Sequence, residues 1–484
     1  MAVPGAITRP RSSFERIARG AAIVACLALS VGVIILYAQL AKRARFTPDD
    51  LCVFSSVEQR GFLAAQRLLF ESWSGRWASN FFVTAAMSVL PASGSLRAYS
   101  LCLLGFTTAT AAVVLKALFR ERIDPPTTIA LALTSIAFLF LVSPHRGDSW
   151  FFAYASIENV WPMCFGALAF ACVRQAYRGR GWVAAAILLA ALATAGHQCV
   201  ALSFLAAGGI GVAWMWVALS HAPLSGAADR RRRAEATAAT AAFVAGLASF
   251  VVCVSAPGDR HRLAYLRPAT IPDALRDTIA GAPSIVGDIV AAHPMALVSA
   301  ALVWLVAGLV LIPAEDRVGG RRLAVRLSGA AAVLSAIGLV SSFPGYYALH
   351  GPPPTRAQIA LAGAVVVVAA FSGLQLARVL PRRSDVVALA TVALVLALAW
   401  TFARERAGLV RDIALARTYA AAYDGRMAFL RERRSERVGP IVLAPLPESG
   451  LLRSAEISAA NPRAYENTCL RGATGLAVPV LREP

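Results

Sequence analysis

Six short stretches of this 484-residue chain hold acidic, basic and aromatic side chains suited to chemistry. The first is Phe46-Thr-Pro-Asp49-Asp50-Leu-Cys52. It opens a helical pattern with Phe54, Gly61, Phe62, Ala65, Leu68 and Leu69 on one side and Ser56, Gln59, Arg60 and Arg67 on the other. One aspartate suffices to cap such a helix by accepting from its free N–H groups. The pair therefore leaves one carboxylate over, and two adjacent carboxylates suit general-base work or a divalent cation, Mg2+ or Mn2+. The second stretch is Glu71-Ser-Trp73-Ser-Gly75-Arg76-Trp77. Tryptophan there can be an interfacial anchor, but glycine also permits close backbone approach and arginine offers a forked donor for phosphate.

The third runs from His145-Arg146-Gly-Asp148 to Tyr154 and Glu158-Asn159, where interface anchoring and a substrate site are equally good readings. His197-Gln198 separates two apolar runs; a histidine there can close a helix end, yet a polar break between membrane segments also marks a site. In Pro257-Gly258-Asp259-Arg260-His261-Arg262 a turn precedes packed cations whose expected partner is anionic, a phosphate or lipid headgroups. The sixth, Phe343 to Arg356, is a stiff, aromatic, proline-rich loop ending in one arginine, a substrate wall or a rigid turn. Converging, these stretches would suit a lipid-linked phosphosugar: arginines on the phosphate, aromatics on the sugar, a carboxylate for the acceptor's proton.

The elements that must position them are membrane helices. Apolar residues make up 58% of the chain and charged ones 15%, and mean hydropathy is +0.62. Apolar stretches at 20–40, 96–118, 127–143, 160–173, 182–196, 199–218, 236–254, 294–312, 326–343, 357–377 and 385–402 predict eleven spans, each about the length a ~30 Å hydrocarbon core requires or somewhat shorter. Counting from a cytoplasmic N-terminus, the inside loops hold Arg120/Arg122, Arg174/Arg178/Arg180, Arg230 to Arg233, Arg317/Arg321/Arg322 and Arg378/Arg382/Arg383. The outside connections are arginine-poor, as the positive-inside rule requires. Arg9, Arg11, Arg16 and Arg19 precede the first span, which reads as an uncleaved anchor. Residues 77–95 would make a twelfth span but invert this alternation, so they are expected to form an interfacial helix.

The resulting expectation is an all-α integral membrane protein of about eleven spans (ten to twelve). Residues 1–19 are cytoplasmic, 20–403 form the bundle with outer loops 41–95 and 255–293, and 404–484 form a small extracytoplasmic αβ appendage. That tail starts as a charged helix, Arg404 to Arg437, and continues as the strand-like Gly439-Pro-Ile-Val-Leu-Ala-Pro. Of eight cysteines, Cys52 and Cys469 both fall outside, where a disulfide between them is chemically allowed. No CxxC or His-Cys spacing suggests structural zinc. The net charge of +20 comes from 47 basic and 27 acidic residues and is explained by topology, so no nucleic-acid partner is expected.

The Asp-Asp after the first span, followed by Trp73-Ser-Gly75-Arg76, resembles a group of uncharacterised bacterial multispanning proteins similar to membrane glycosyltransferases of the GT-C fold, O-antigen glucosyltransferases among them. Ala256-Pro257-Gly258-Asp259 with Arg262 resembles that group's Ala-Pro-Gly-Asn-x-x-Arg loop, with Asp where Asn is usual. Asn461-Pro-Arg-Ala-Tyr465-Glu-Asn467 resembles its C-terminal pattern, while His197 stands where an acid is often seen. The resemblance implies a bacterial inner-membrane enzyme that moves a sugar from a polyprenyl-phosphate donor to a glycan or lipid acceptor outside the cytoplasm, with inversion. It implies Asp50 or Asp49 as general base, Arg76, Arg262 and Arg356 on phosphate, and Asp148 or Glu158 on sugar hydroxyls; Trp73, His197 and Arg260 are further candidate substrate contacts. A divalent metal at Asp49/Asp50 is optional. A transporter or flippase of a lipid-linked anion would instead show repeats and polar helix breaks at mid-bilayer. A non-catalytic envelope-assembly protein is the third alternative.

Overall fold

The computed structural model describes residues 13–119, 123–221, 226–312, 317–381 and 383–483. Arg9, Arg11, Arg120, Arg122 and Arg382, used in the charge alternation, lie outside the described residues, as does most of the 1–19 segment. The chain runs α1 (Ser13–Ala41), α2 (Pro48–Arg60), α3 (Phe62–Ser72), α4 (Trp77–Val89), α5 (Arg97–Phe119), α6 (Pro125–Val142), α7 (Arg146–Trp150), α8 (Ala153–Val173) and α9 (Arg180–Thr194). It continues through α10 (Gln198–Ser220), α11 (Ala227–Ser255), α12 (Pro257–Leu266), α13 (Ile271–Ala292), α14 (Pro294–Leu311), α15 (Gly320–Leu349) and α16 (Ile359–Ala377). The last elements are α17 (Ser384–Glu432), β1 (Ile441–Leu443), α18 (Tyr465–Thr474) and β2 (Val480–Arg482).

Among the described residues ten helices are long and apolar enough to cross a membrane: α1, α5, α6, α8, α10, α11, α14, α15, α16 and α17. The chain is an all-α, multi-pass membrane protein. The expected fifth span corresponds to α9, which is apolar but only 15 residues long. With 13 residues, roughly 20 Å at 1.5 Å per residue, α4 is too short to cross and packs against α2, α3 and α8.

Polar side chains inside the bundle bond to one another, since lipid offers no partner. Ser30 and Thr134 hydroxyls lie 3.0 Å apart, Ser299 and Thr401 2.9 Å, and the Tyr37 hydroxyl donates to the Ser100 carbonyl. The arginine-bearing connections gather at one end, where Arg19 pairs with Asp124 and Glu235 receives both Arg174 and Arg231. The six chemistry-bearing stretches gather at the other end together with the tail.

Two local features depart from the sequence pattern. The helix expected after the aspartate pair is two helices, broken at Gly61, whose φ of 78° favours glycine. The last span and the charged stretch of the tail are one uninterrupted helix, α17, of 49 residues and roughly 74 Å. The boundary drawn at residue 403 therefore falls inside a rod. Beyond it, β1 and β2 form a two-stranded parallel sheet, Ile441 opposite Val480. The α18 helix docks on α2 through a Cys52–Cys469 disulfide with Cα atoms 4.5 Å apart.

Candidate functional site

The aspartate pair divides its labour. Thr47 is the N-cap of α2 and Asp50 is the third helical residue. The Thr47 backbone N–H and hydroxyl both donate to Asp50 Oδ2, at 3.0 and 3.1 Å, the reciprocal half of a capping box. The Tyr154 N–H donates to Oδ1 at 2.9 Å. Asp50 is fully buried, and burial pushes its carboxyl up to about 7 against the lowering effect of those hydrogen bonds. Both oxygens are committed to backbone, so Asp50 ties α2 to α8 instead of facing substrate. This corrects the expectation that it is the catalytic base.

Asp49 is the carboxylate left over. Half-buried in the first turn of α2, it accepts the Tyr465 hydroxyl on Oδ1 at 2.8 Å, and its Oδ2 has no hydrogen bond among the described residues. Burial, then Asp49, pushes the Tyr465 phenol well above its ordinary range, so it stays a donor. The two aspartates serve different partners in different directions and do not fit a shared divalent cation. Among the described residues no cluster of three or more His, Cys, Asp or Glu side chains has metal-binding form.

Close by is a cavity of about 270 Å³ between α10, α11, α12 and α15. Its polar end is made by Arg76, His197, Gln198, Asp259, Arg262 and Arg356; the rest is apolar, with Phe250, Leu263, Phe343 and Leu349 among its walls. Four residues singled out in the sequence thus share one space although they come from four separate connections. Asp49 and Asp50 are not among its lining residues.

Arg76 is buried and held on three sides. It pairs with Glu158 at 2.6 Å and donates through Nε and Nη2 to Gln198 Oε1 at 3.1 and 2.8 Å. Gln198 Nε2 in turn donates to Asp259 at 3.3 Å, and the Gly75 N–H donates to the same carboxylate at 3.3 Å. Burial opposes the Arg76 charge, but Glu158, Tyr154 and Asp259 outweigh it and hold the guanidinium more firmly protonated than usual. Burial raises Asp259 despite Arg76. Glu158 is therefore a buried counter-ion of Arg76, which corrects its assignment to sugar hydroxyls.

Arg262 differs. It sits with its Cζ 5.7 Å from the centre of the Trp73 ring and has no ion pair within 4 Å among the described residues. The neighbouring Arg76 charge, then burial, makes its protonation harder. An anion entering the cavity would relieve that repulsion. Arg356 is only loosely held, 3.9 Å from Asp148. His197 Nδ1 accepts the Cys199 N–H at 3.3 Å, which fixes the ring. Burial, then Arg76, Arg262 and Arg356, lowers its affinity for a proton, leaving a neutral imidazole with Nε2 as donor.

Asp148 is not in the cavity. It accepts Arg453 of the tail at 3.1 Å, and His145 Nδ1 lies 3.5 Å from its other oxygen. Arg260 is exposed and is not among the cavity's lining residues, although Asp259 and Arg262 on either side of it are, so it does not join the site expected of it. In the sequence Gln198 and Tyr154 stand within chemistry-bearing stretches without a role of their own, and neither Arg453 nor Tyr465 is assigned one. Tyr465 had a signal in the Asn461–Asn467 motif; the others act through contacts that have no spacing in sequence.

Glycines let these segments meet. A Cβ on Gly258 would lie 2.6–2.9 Å from backbone atoms of Phe70, Trp73 and Ser74, so α12 packs directly on the end of α3. This brings Arg262 over Trp73. A Cβ on Gly75 would meet the Cys253 carbonyl at 1.9 Å.

Comparison of the chain with models of protein families, with curated proteins and with solved structures finds no match in any of the three.

Proposed function

We propose that this protein is a membrane glycosyltransferase that moves a sugar from a polyprenyl-phosphate donor to a cell-envelope glycan or lipid acceptor. In this reading it works at the extracytoplasmic face of a bacterial inner membrane, with its N-terminus in the cytoplasm and its tail outside. The arginine alternation along the chain supports that orientation.

One observation carries the reading: a cavity is cationic at one end and apolar elsewhere, Arg262 in it makes no ion pair among the described residues, and the half-free carboxylate of Asp49 is linked to it through Tyr465 and Trp73. Such a cavity suits a phosphate joined to a hydrocarbon chain. Arg262 and Arg356 take the phosphate charge, His197 Nε2 donates to it, and Arg76 supports the field from behind. The acceptor hydroxyl attacks the anomeric carbon as the bond to phosphate oxygen breaks, and its proton passes to Asp49. The phosphate leaves with its charge already neutralised, so no separate acid is needed. One displacement inverts the anomeric centre.

The test uses purified full-length protein in detergent and a short-chain polyprenyl phosphate. Charge-assisted hydrogen bonds contribute about 1.5–3 kcal/mol, so Arg262→Gln should weaken binding roughly 10- to 150-fold. With a radiolabelled polyprenyl-phosphate hexose and membrane lipid or glycan extract as acceptor, Asp49→Asn should abolish transfer while leaving phosphate binding in place. Equal affinity for wild type and Arg262→Gln, or full transfer by Asp49→Asn, refutes the assignment.

A further inference from the structure

We infer that Tyr465, from the C-terminal tail, is a positioning residue for the phosphate site: through the Trp73 ring it holds Arg262 where an entering anion meets it. The inference rests on the reading of the cavity as a phosphate site and is independent of sugar transfer.

Three groups from three separate segments are stacked in sequence. Arg262 of α12 has its Cζ 5.7 Å from the centre of the Trp73 ring at the end of α3, and that ring is stacked on Tyr465, which opens α18. The two rings are parallel within 4°, with centroids 5.9 Å apart. Arg262 needs such support. No ion pair within 4 Å holds it among the described residues, and the guanidinium of Arg76, itself anchored by Glu158 and Gln198, repels it. A long, mobile side chain under that repulsion would turn towards solvent. The indole face offers the planar, electron-rich surface on which a guanidinium settles. An arginine already ordered there loses little further freedom when an anion binds.

The position of the indole depends in turn on the tail. Trp73 is the residue just past the end of α3 and is 39% exposed, so packing alone leaves its tilt open. Its Nε1–H donates to the Tyr154 hydroxyl at 3.0 Å, which pins one edge of the ring. The parallel Tyr465 ring then sets the plane. Tyr465 has two anchors of its own. Its hydroxyl donates to Asp49 at 2.8 Å, and Cys469, one helical turn on, is bonded to Cys52 of α2. Support thus runs from a covalent bond between the tail and the segment after α1 to the cation of the cavity. The tail shapes that cavity although no residue beyond Arg356 lines it.

The experiment measures binding of farnesyl phosphate to the purified full-length protein in a non-ionic detergent. Tyr465→Leu and Tyr465→Gln remove the ring from a half-exposed position, and each should weaken binding about three- to tenfold. Tyr465→Phe keeps the ring and should restore binding to within about twofold of wild type. Double-mutant cycles locate the effect. On top of Arg262→Gln, Tyr465→Leu should cost less than about twofold, whereas on top of Arg356→Gln it should keep its full effect. Thermal midpoints and the Cys52–Cys469 cross-link, read by gel mobility after cleavage between them, confirm that the variants fold. Folded leucine and glutamine variants that bind like wild type overturn the inference, as does an undiminished loss in the Arg262→Gln background. Absence of binding by wild type removes the phosphate reading of the cavity and this inference with it. Sugar transfer that fails while the coupling to Arg262 holds sinks the transferase reading and leaves the role of Tyr465 standing.

Discussion

Asp50→Asn separates a structural carboxylate from a catalytic one. The folded-state value of about 7 lies above the ordinary 3.8, so between those limits the folded protein holds a proton that the unfolded chain has released. Stability from this group is fully present below about pH 4 and is lost as pH rises through 7. At 1.36 kcal/mol per unit, the loss between pH 5 and pH 8 amounts to roughly 2–3 kcal/mol. Asparagine cannot ionise, and its NH2 group must face either the Thr47 donors or the Tyr154 N–H. One buried donor then goes without an acceptor, costing about 1–3 kcal/mol at every pH. The assay is thermal unfolding of detergent-solubilised wild type and variant at half-unit steps from pH 5 to 8. Wild-type stability should fall across the range relative to Asp50→Asn, with the gap narrowing by the stated amount. Parallel curves would refute the burial argument. The same preparation should show Asp49→Asn within about 0.5 kcal/mol of wild type, since that side chain is half-exposed and makes one hydrogen bond.

Other perturbations test the packing around the cavity. Arg76→Ala leaves Glu158 charged and buried and should cost about 3–5 kcal/mol in thermal unfolding, with much of it recovered in Arg76→Ala/Glu158→Gln. Gly258→Ala must push α12 away from backbone atoms of Phe70, Trp73 and Ser74 at the end of α3 and should destabilise by about 1–3 kcal/mol while weakening polyprenyl-phosphate binding through displaced Arg262. Cys469→Ser should cost about 2–5 kcal/mol and remove the reductant-sensitive change in gel mobility seen after cleavage between residues 52 and 469.

Much of the bundle was legible because lipid imposes a simple rule. Spans must be apolar and long, and the ten qualifying helices fall where the apolar runs do. Helix α9 was equally visible, since its pattern is apolar even at 15 residues. Of the site, Arg76, His197, Arg262 and Arg356 could be singled out because each is a polar residue at a boundary with no topological duty. Their meeting in one cavity is a tertiary fact. Glu158 was misread for the same reason: an acid beside a span looks available until Arg76, 82 positions earlier, is found 2.6 Å away. The aspartate pair shows the finer limit. Sequence shows that one carboxylate caps and one is spare; only the Thr47 and Tyr154 donors decide which. The continuity of α17 escaped because the change from apolar to charged residues mimics a boundary, although nothing in the backbone stops there.

That continuity gives the tail a mechanical character. About 30 residues of α17 project past its apolar segment, roughly 45 Å of helix with no hinge. Glu405 is clasped by Arg146, Asp424 by Arg45 and Arg426 by Glu456, so the shaft is braced along its length. A 3° change in its inclination would move the far end by roughly 2 Å, comparable to the tolerance of a hydrogen bond. A shaft clasped at three levels does not lean alone, so the seat of the tail is held to the bundle as one body.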